Sequence, residues 1–199
     1  MAYSDFTFTK IKKLYQIEQI EAYLFDISVI IPITPSARLV EDLEDTKTMP
    51  LYTEKSKSEI IIYPIIRELK KKNPSITVFS GYSLNIEGHK ELNGNPDFII
   101  SAKQGIAEPR SPIFCLFESK NKAPDEGFAQ CAAEMYAARL FNQQNNEPYE
   151  TIYGAVTNAY DWVFLKLEGN TVFIDKERYF INELPKLLGI LQFIINQYK

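Results

Sequence analysis

Sulfur is scarce in this chain. Two cysteines occur in 199 residues, Cys115 and Cys131, both in apolar or small-residue settings and without CxxC spacing. They read as buried thiols of a reducing compartment, not as metal ligands or a disulfide. The single histidine, His89 in "NIEGHKELNG", reads as a turn residue in preference to a general base or ligand. No apolar run approaches the ~20 residues needed to cross a bilayer, so no membrane partner is expected. The first residues lack the charged start, apolar core and small-residue cleavage site of a signal peptide, and a cytoplasmic location is expected. Positive charge is also short: 22 Lys and Arg against 26 Asp and Glu leave a net charge of −4. There is no global positive field to attract nucleic acid, and a local patch or a bound cation would have to supply one. Internal repeats and low-complexity tracts are absent.

What is present suits an ordinary globular domain, 45% hydrophobic and 24% charged. One domain over 1–199 is expected, with 1–50 an N-terminal helix-and-strand extension. Apolar spacing predicts a helix over Lys10–Leu24, an extended apolar strand over 25–33, and a polar, acidic connection up to Pro50 with room for a short helix. A helix over Tyr52–Lys72 should kink at Pro64 or begin late. Strands are expected at Ile76–Ile86, Asp97–Ser101 and Pro112–Ser119, then an alanine-rich helix over Asp125–Asn142. Strands at 151–158, 161–167 and 171–175 and a closing amphipathic helix over Glu183–Tyr198 complete the order. The fold class is α/β, or α+β, with a central mixed sheet flanked by helices.

The stretch "FCLFESKNK" is a short strand, apolar at both parities, that ends in Glu118 and Lys120. Side chains alternate along a strand, so these two leave its end on one face. A buried ion pair gains little stability after desolvation, which makes a functional role the natural alternative. Upstream lies "NGNPDFIIS", a turn signal followed at once by Asp97 and an apolar strand. Twenty residues separate Asp97 from Glu118, room for a strand, a loop containing Gly105 and Pro109, and a return strand. Pairing them as an antiparallel hairpin brings the two carboxylates together. Their repulsion would be relieved by a divalent cation, and hard oxygen ligands suit Mg2+, with Mn2+ able to replace it. Lys120 could then position or deprotonate a water.

Asp97 followed by Glu118-Ser119-Lys120 resembles the motif of the PD-(D/E)XK nuclease superfamily, whose core is the restriction-endonuclease-like fold. The resemblance runs from about residue 52 to near the C-terminus. It implies metal ligation by Asp97, Glu118 and the backbone of Ser119, and a catalytic role for Lys120. Glu59, in "EKSKSEIIIYPIIREL", stands on the helix before the first core strand, where such nucleases often carry another acidic site residue. Gln130, in "GFAQCAAEMYAAR", resembles the glutamine on the helix after the E-x-K strand in the lambda-exonuclease-like, RecB-like and type I restriction-subunit branches. The RecB-like pattern has a tyrosine four residues after that glutamine, where this chain has Glu134. "IYGAVTNAYDWVFLKLE" resembles the following strand pair in a group of bacterial, especially cyanobacterial, members. The resemblance therefore implies metal-dependent hydrolysis of phosphodiester bonds, with nucleic acid, DNA first, as partner and a homodimer left open. The competing expectation is a catalytically silent nucleic-acid-binding or adaptor protein of the same fold. The intact Asp97, Glu118 and Lys120 favour the enzyme, and the acidic balance favours the adaptor.

Overall fold

The strand that carries Glu118 near its end is an inner strand of the sheet, with neighbours on both sides. A computed structural model describes residues 2–103, 108–147 and 149–198, and every side chain among them except those of Cys115 and Leu116. Gly105 in the expected loop and the thiol of Cys115 thus lie outside the described residues.

The sheet begins as an antiparallel meander of β2 (Thr77–Ser80), β3 (Phe98–Ser101) and β4 (Ile113–Ser119). Helix α5 (Phe128–Gln144) then crosses over, and β5 (Ile152–Thr157) lies parallel to β4. From there β6 (Asp161–Glu168) and β7 (Thr171–Asp175) continue antiparallel, and the short β8 (Tyr179–Phe180) pairs with β6. The far edge is β1 (Glu18–Ala22), parallel to β7, which gives the order β1-β7-β6-β5-β4-β3-β2. The result is a mixed sheet of eight strands between two helical layers.

Both faces of the inner strands are buried, as the apolar character of both parities requires. On β6, Trp162 and Phe164 pack with one layer, and Val163, Leu165 and Leu167 with the other. The first layer holds α2 (Ala37–Asp45), the 54–72 helix and α6 (Leu184–Asn196). The second holds α1 (Phe8–Tyr15) and α5. The close approach of α5 to the sheet depends on Gly154, where a Cβ would stand 2.5 Å from the Cys131 sulfur and 2.7 Å from that of Met135.

One irregularity in β4 matters for the site. Ile100 faces Cys115 but Ser101 faces Ile113, so Phe114 is an extra residue on β4. Such a bulge resets the alternation of side chains. Ile113 packs in the α5 layer, yet Phe117 packs in the opposite one. Glu118, next along, therefore points toward α5.

Three sequence expectations are corrected. The helix expected over Lys10–Leu24 stops at Tyr15, because Gln16 turns into the left-handed region (φ 57°). The remainder becomes edge strand β1, and Ile20 and Tyr23 lie exposed where helical spacing would bury them. The strand expected over 25–33 does not form: a single 3₁₀ turn (Ile27–Val29) occupies its middle. The strand expected over Ile76–Ile86 ends at Ser80, where Gly81 takes a positive φ of 67°. The helix with Pro64 starts close to where it was expected and is continuous through the proline. It runs from α3 (Glu54–Lys57) through a π turn (Ser58–Ile62) into α4 (Tyr63–Lys72). Pro64 has no N–H to return to the carbonyl four residues back. The helix widens just before it, Tyr63 N–H bonding to Ser58 O, five residues back.

Candidate active site

Phe98 faces Phe117 in the β3–β4 hairpin, so the next pair outward is Asp97 with Glu118. The Asp97 carboxylate accepts the Ser119 backbone N–H at 2.7 Å, which clamps it against the E-x-K strand. Lys120 leaves the same strand end, its backbone N–H bonded to Thr157 O at 2.8 Å in continuation of the β4–β5 ladder. Its ammonium donates to Glu118 Oε2 at 3.2 Å and to Gln130 Oε1 at 2.9 Å. Glu118 and Lys120 thus share a face, and Gln130 joins them from the first turns of α5. Asn142 fixes the other end of that helix by bracketing Ile113, accepting its N–H and donating to its carbonyl, both at 2.7 Å. Helix α5 is therefore pinned to both ends of β4.

The lysine stem passes a residue with no side chain. A Cβ on Gly127 would come within 2.8 Å of Lys120 Cε and 2.6 Å of a Val156 methyl. The connection that carries Gly127 is held from outside by Arg178, which donates to both Asp125 oxygens (2.7 and 2.9 Å) and to Asp161 (2.7 Å).

Glu59 sits on the π turn and lines a cleft of about 310 Å³ together with Glu54, Lys55, Ser58, Ser80, Gly81 and Asp97. Its side chain is 65% exposed, with Lys55 Nζ 3.9 Å away. Glu54, one turn earlier, is tied more closely to the E-x-K strand: it accepts Asn121 N–H at 2.9 Å, while Lys57 donates to Asn121 O at 2.7 Å. Sequence reasoning passed over Glu54. Its position just after the N-cap Thr53 reads as a residue placed for the helix dipole.

Glu134 was the larger omission. It is fully buried on α5, one turn beyond Gln130, and accepts from Gln130 Nε2 at 3.1 Å. It also meets the Glu118 carboxyl. Two carboxylates both accept, so they can bond only if one carries a proton. With both ionised, Glu118 Oε1 and Glu134 Oε2 are buried without a donor. The only sequence signal was the one already noted, an acid at the position where the RecB-like pattern has a tyrosine.

These surroundings set the charges. Burial, and then the neighbouring Glu118, push the Glu134 carboxyl well above the ordinary range. Burial likewise raises Glu118 to about 7, its hydrogen bond to Glu134 and the Lys120 charge pulling against that. Asp97 is raised by burial, partly offset by the Ser119 N–H and by Lys120. For Lys120 burial alone would lower the ammonium pKa, but Glu118, Glu54 and Asp97 together reverse this and hold it above its usual value.

The donor set fits a hard cation. Apart from the Glu134 carboxyl, nothing donates to the buried Glu118 Oε1, and Asp97 stands across the hairpin with Ser119 between them. Among the described residues no three acidic, histidine or cysteine side chains form a closed cage. Mg2+ does not require one, since it keeps several waters and takes one or two carboxylates. Among the same residues no helix is long and apolar enough to cross a membrane. The chain matches no protein-family model and no curated protein.

Proposed function

We propose that the protein is a cytoplasmic, metal-dependent nuclease of the PD-(D/E)XK kind, hydrolysing phosphodiester bonds of DNA at the Asp97, Glu118 and Lys120 site. The observation that carries this reading is the convergence of these three groups at one sheet end, with a buried Glu118 oxygen that is offered no donor other than the Glu134 carboxyl. The fold supports it at a coarser level: the site lies on a central mixed sheet flanked by helices, as the motif resemblance implies. Asp97, Glu118 and the Ser119 carbonyl would hold Mg2+ or Mn2+. When bound, the ion would neutralise phosphate charge and make a coordinated water more acidic.

The protein's own groups divide the remaining work. Lys120, held above its ordinary pKa, keeps its proton at neutral pH. It is therefore a poor general base and a good donor, suited to orienting a water and to countering phosphate charge. Gln130 accepts from Lys120 and restricts where the ammonium points. The Ser119 N–H holds the Asp97 carboxylate toward the hairpin end.

Two measurements test the reading. Wild-type protein should cleave a mixture of single- and double-stranded DNA only with Mg2+ or Mn2+ present. Calorimetry should find Mn2+ binding in the wild type and its loss in the Asp97→Ala/Glu118→Ala double variant. Equal Mn2+ affinity in the two proteins sinks the metal site. DNA binding without any cleavage replaces the enzyme by the adaptor.

A further inference from the structure

Lys120, Gln130, Glu134 and Glu118 form a closed ring. Lys120 donates to Gln130 (2.9 Å), Gln130 donates to Glu134 (3.1 Å), Glu134 meets Glu118, and Glu118 accepts from Lys120 (3.2 Å). We propose that Glu134 is a positioning residue: by accepting from the Gln130 amide nitrogen, it fixes which end of that amide faces Lys120 and so aims the ammonium.

The argument starts from the symmetry of a carboxamide. Its oxygen and nitrogen are alike in size and opposite in hydrogen-bonding sense, so a glutamine beside a lysine can be held either way round unless a third group decides. With the oxygen toward Lys120 the contact is donor to acceptor; with the nitrogen toward it, two donors collide. Glu134 Oε1 accepts from the nitrogen and selects the first arrangement. Its own freedom is slight. It is fully buried, and α5 is pinned along β4 by Asn142 at the far end. The lysine stem packs closely against Gly127, where a Cβ would strike both Lys120 and Val156. Two of the three ammonium donors are thus assigned inside the ring, which leaves the third for substrate. A carboxyl group fully buried against a second carboxyl is a poor choice for packing alone. Its use lies in orienting its neighbour.

The inference concerns the same site as the nuclease reading and takes its catalytic meaning from it, but its structural content can be measured separately. The probe is acetic anhydride, with Lys120 modification followed by mass spectrometry in metal-free wild type, Glu134→Gln and Glu134→Leu. A lysine tied into the ring should react slowly. Glu134→Leu removes the acceptor and should speed Lys120 acetylation about ten-fold. Glu134→Gln keeps an acceptor oxygen and should recover most of the protection. If Glu134→Leu reacts at the wild-type rate, or Glu134→Gln reacts as fast as Glu134→Leu, the proposal is overturned whether or not the protein cleaves DNA. Should Glu134→Leu not fold, wild-type protein decides alone. The Gln130 side-chain amide protons should exchange with solvent about ten-fold more slowly than those of exposed Gln19, and equal exchange refutes the ring. Where cleavage is measurable, Glu134→Leu should lower kcat with KM unchanged and Glu134→Gln should restore it. A raised KM with kcat unchanged would contradict the proposal. Absence of cleavage in wild type, with the acetylation pattern as expected, overturns the nuclease reading and leaves the positioning role supported.

Discussion

Lys120→Met is expected to stay folded, to keep its divalent-cation affinity and to lose DNA cleavage by roughly 10²–10³-fold. The stem of Lys120 is packed beside Gly127 and its side chain is only 15% exposed. Methionine keeps most of that apolar volume. What disappears is the charge between Glu118 and Gln130. Removing a cation beside Asp97 and Glu118 takes away a competitor for their oxygens, so Mn2+ binding should hold or tighten. A group whose only role was to satisfy Glu118 would give the opposite pattern, with stability reduced and the rate untouched. Circular dichroism, Mn2+ calorimetry and cleavage at saturating Mn2+ separate the cases. Cleavage at the wild-type rate would remove Lys120 from the chemistry.

The metal-free protein should also become less stable as pH rises from about 4.5 through 7. The sign follows from the direction of the shifts. Glu118 is raised from an unfolded value of 4.5 to about 7, and Asp97 and Glu134 are raised as well. Between the unfolded and folded values the native state holds more protons than the unfolded chain. Stability from these groups is therefore full below about 4.5 and lost as pH climbs through the folded values. Glu118→Gln has no proton to lose at that position, so it should unfold at a temperature several degrees above wild type at pH 8 and close to it at pH 5. For a chain of this size 1 kcal/mol corresponds to roughly 2–4 °C. Mn2+ added at pH 8 should raise the wild-type midpoint more than that of Glu118→Gln. A wild-type midpoint that rises relative to Glu118→Gln between pH 5 and 8 would mean that the Glu118 carboxyl is not held up by burial.

How much of this could be read in advance depended on whether local pattern or tertiary placement decided each residue. The Asp97–Glu118 pairing was legible, because "NGNP" marks a turn and apolar strands on either side can pair in few ways. Gln130 was legible through its place in the helix after the strand. Glu134 was not: on a surface helix an acid among alanines faces water, and only the sandwiching of α5 between β4, β5 and the N-terminal segment buries it. The first thirty residues misled for a related reason. Ile11, Leu14 and Ile17 have helical spacing, and Ile20, Tyr23 and Leu24 extend it, but Gln16 breaks the helix and the later residues become an edge with little to cover it. Apolar spacing shows which residues could be buried together, not which of them find a partner. The π turn was half legible, since Pro64 announced a disturbance but not the remedy the helix would adopt.

The extra residue at Phe114 gives the site a vulnerability of a different kind from substitution. Downstream of it, the strand is a two-step clock whose phase decides which groups face α5 and which face the hydrocarbon opposite. Losing one residue between the bulge and Glu118 would advance that clock by half a cycle. Phe117 would swing into the ring of Gln130 and Glu134, and the carboxylate would be driven among the side chains that pack around Phe117 now. Changes of letter along this stretch leave the phase alone. The count of residues, more than their identity, keeps the acid on the side of the sheet where the lysine can reach it.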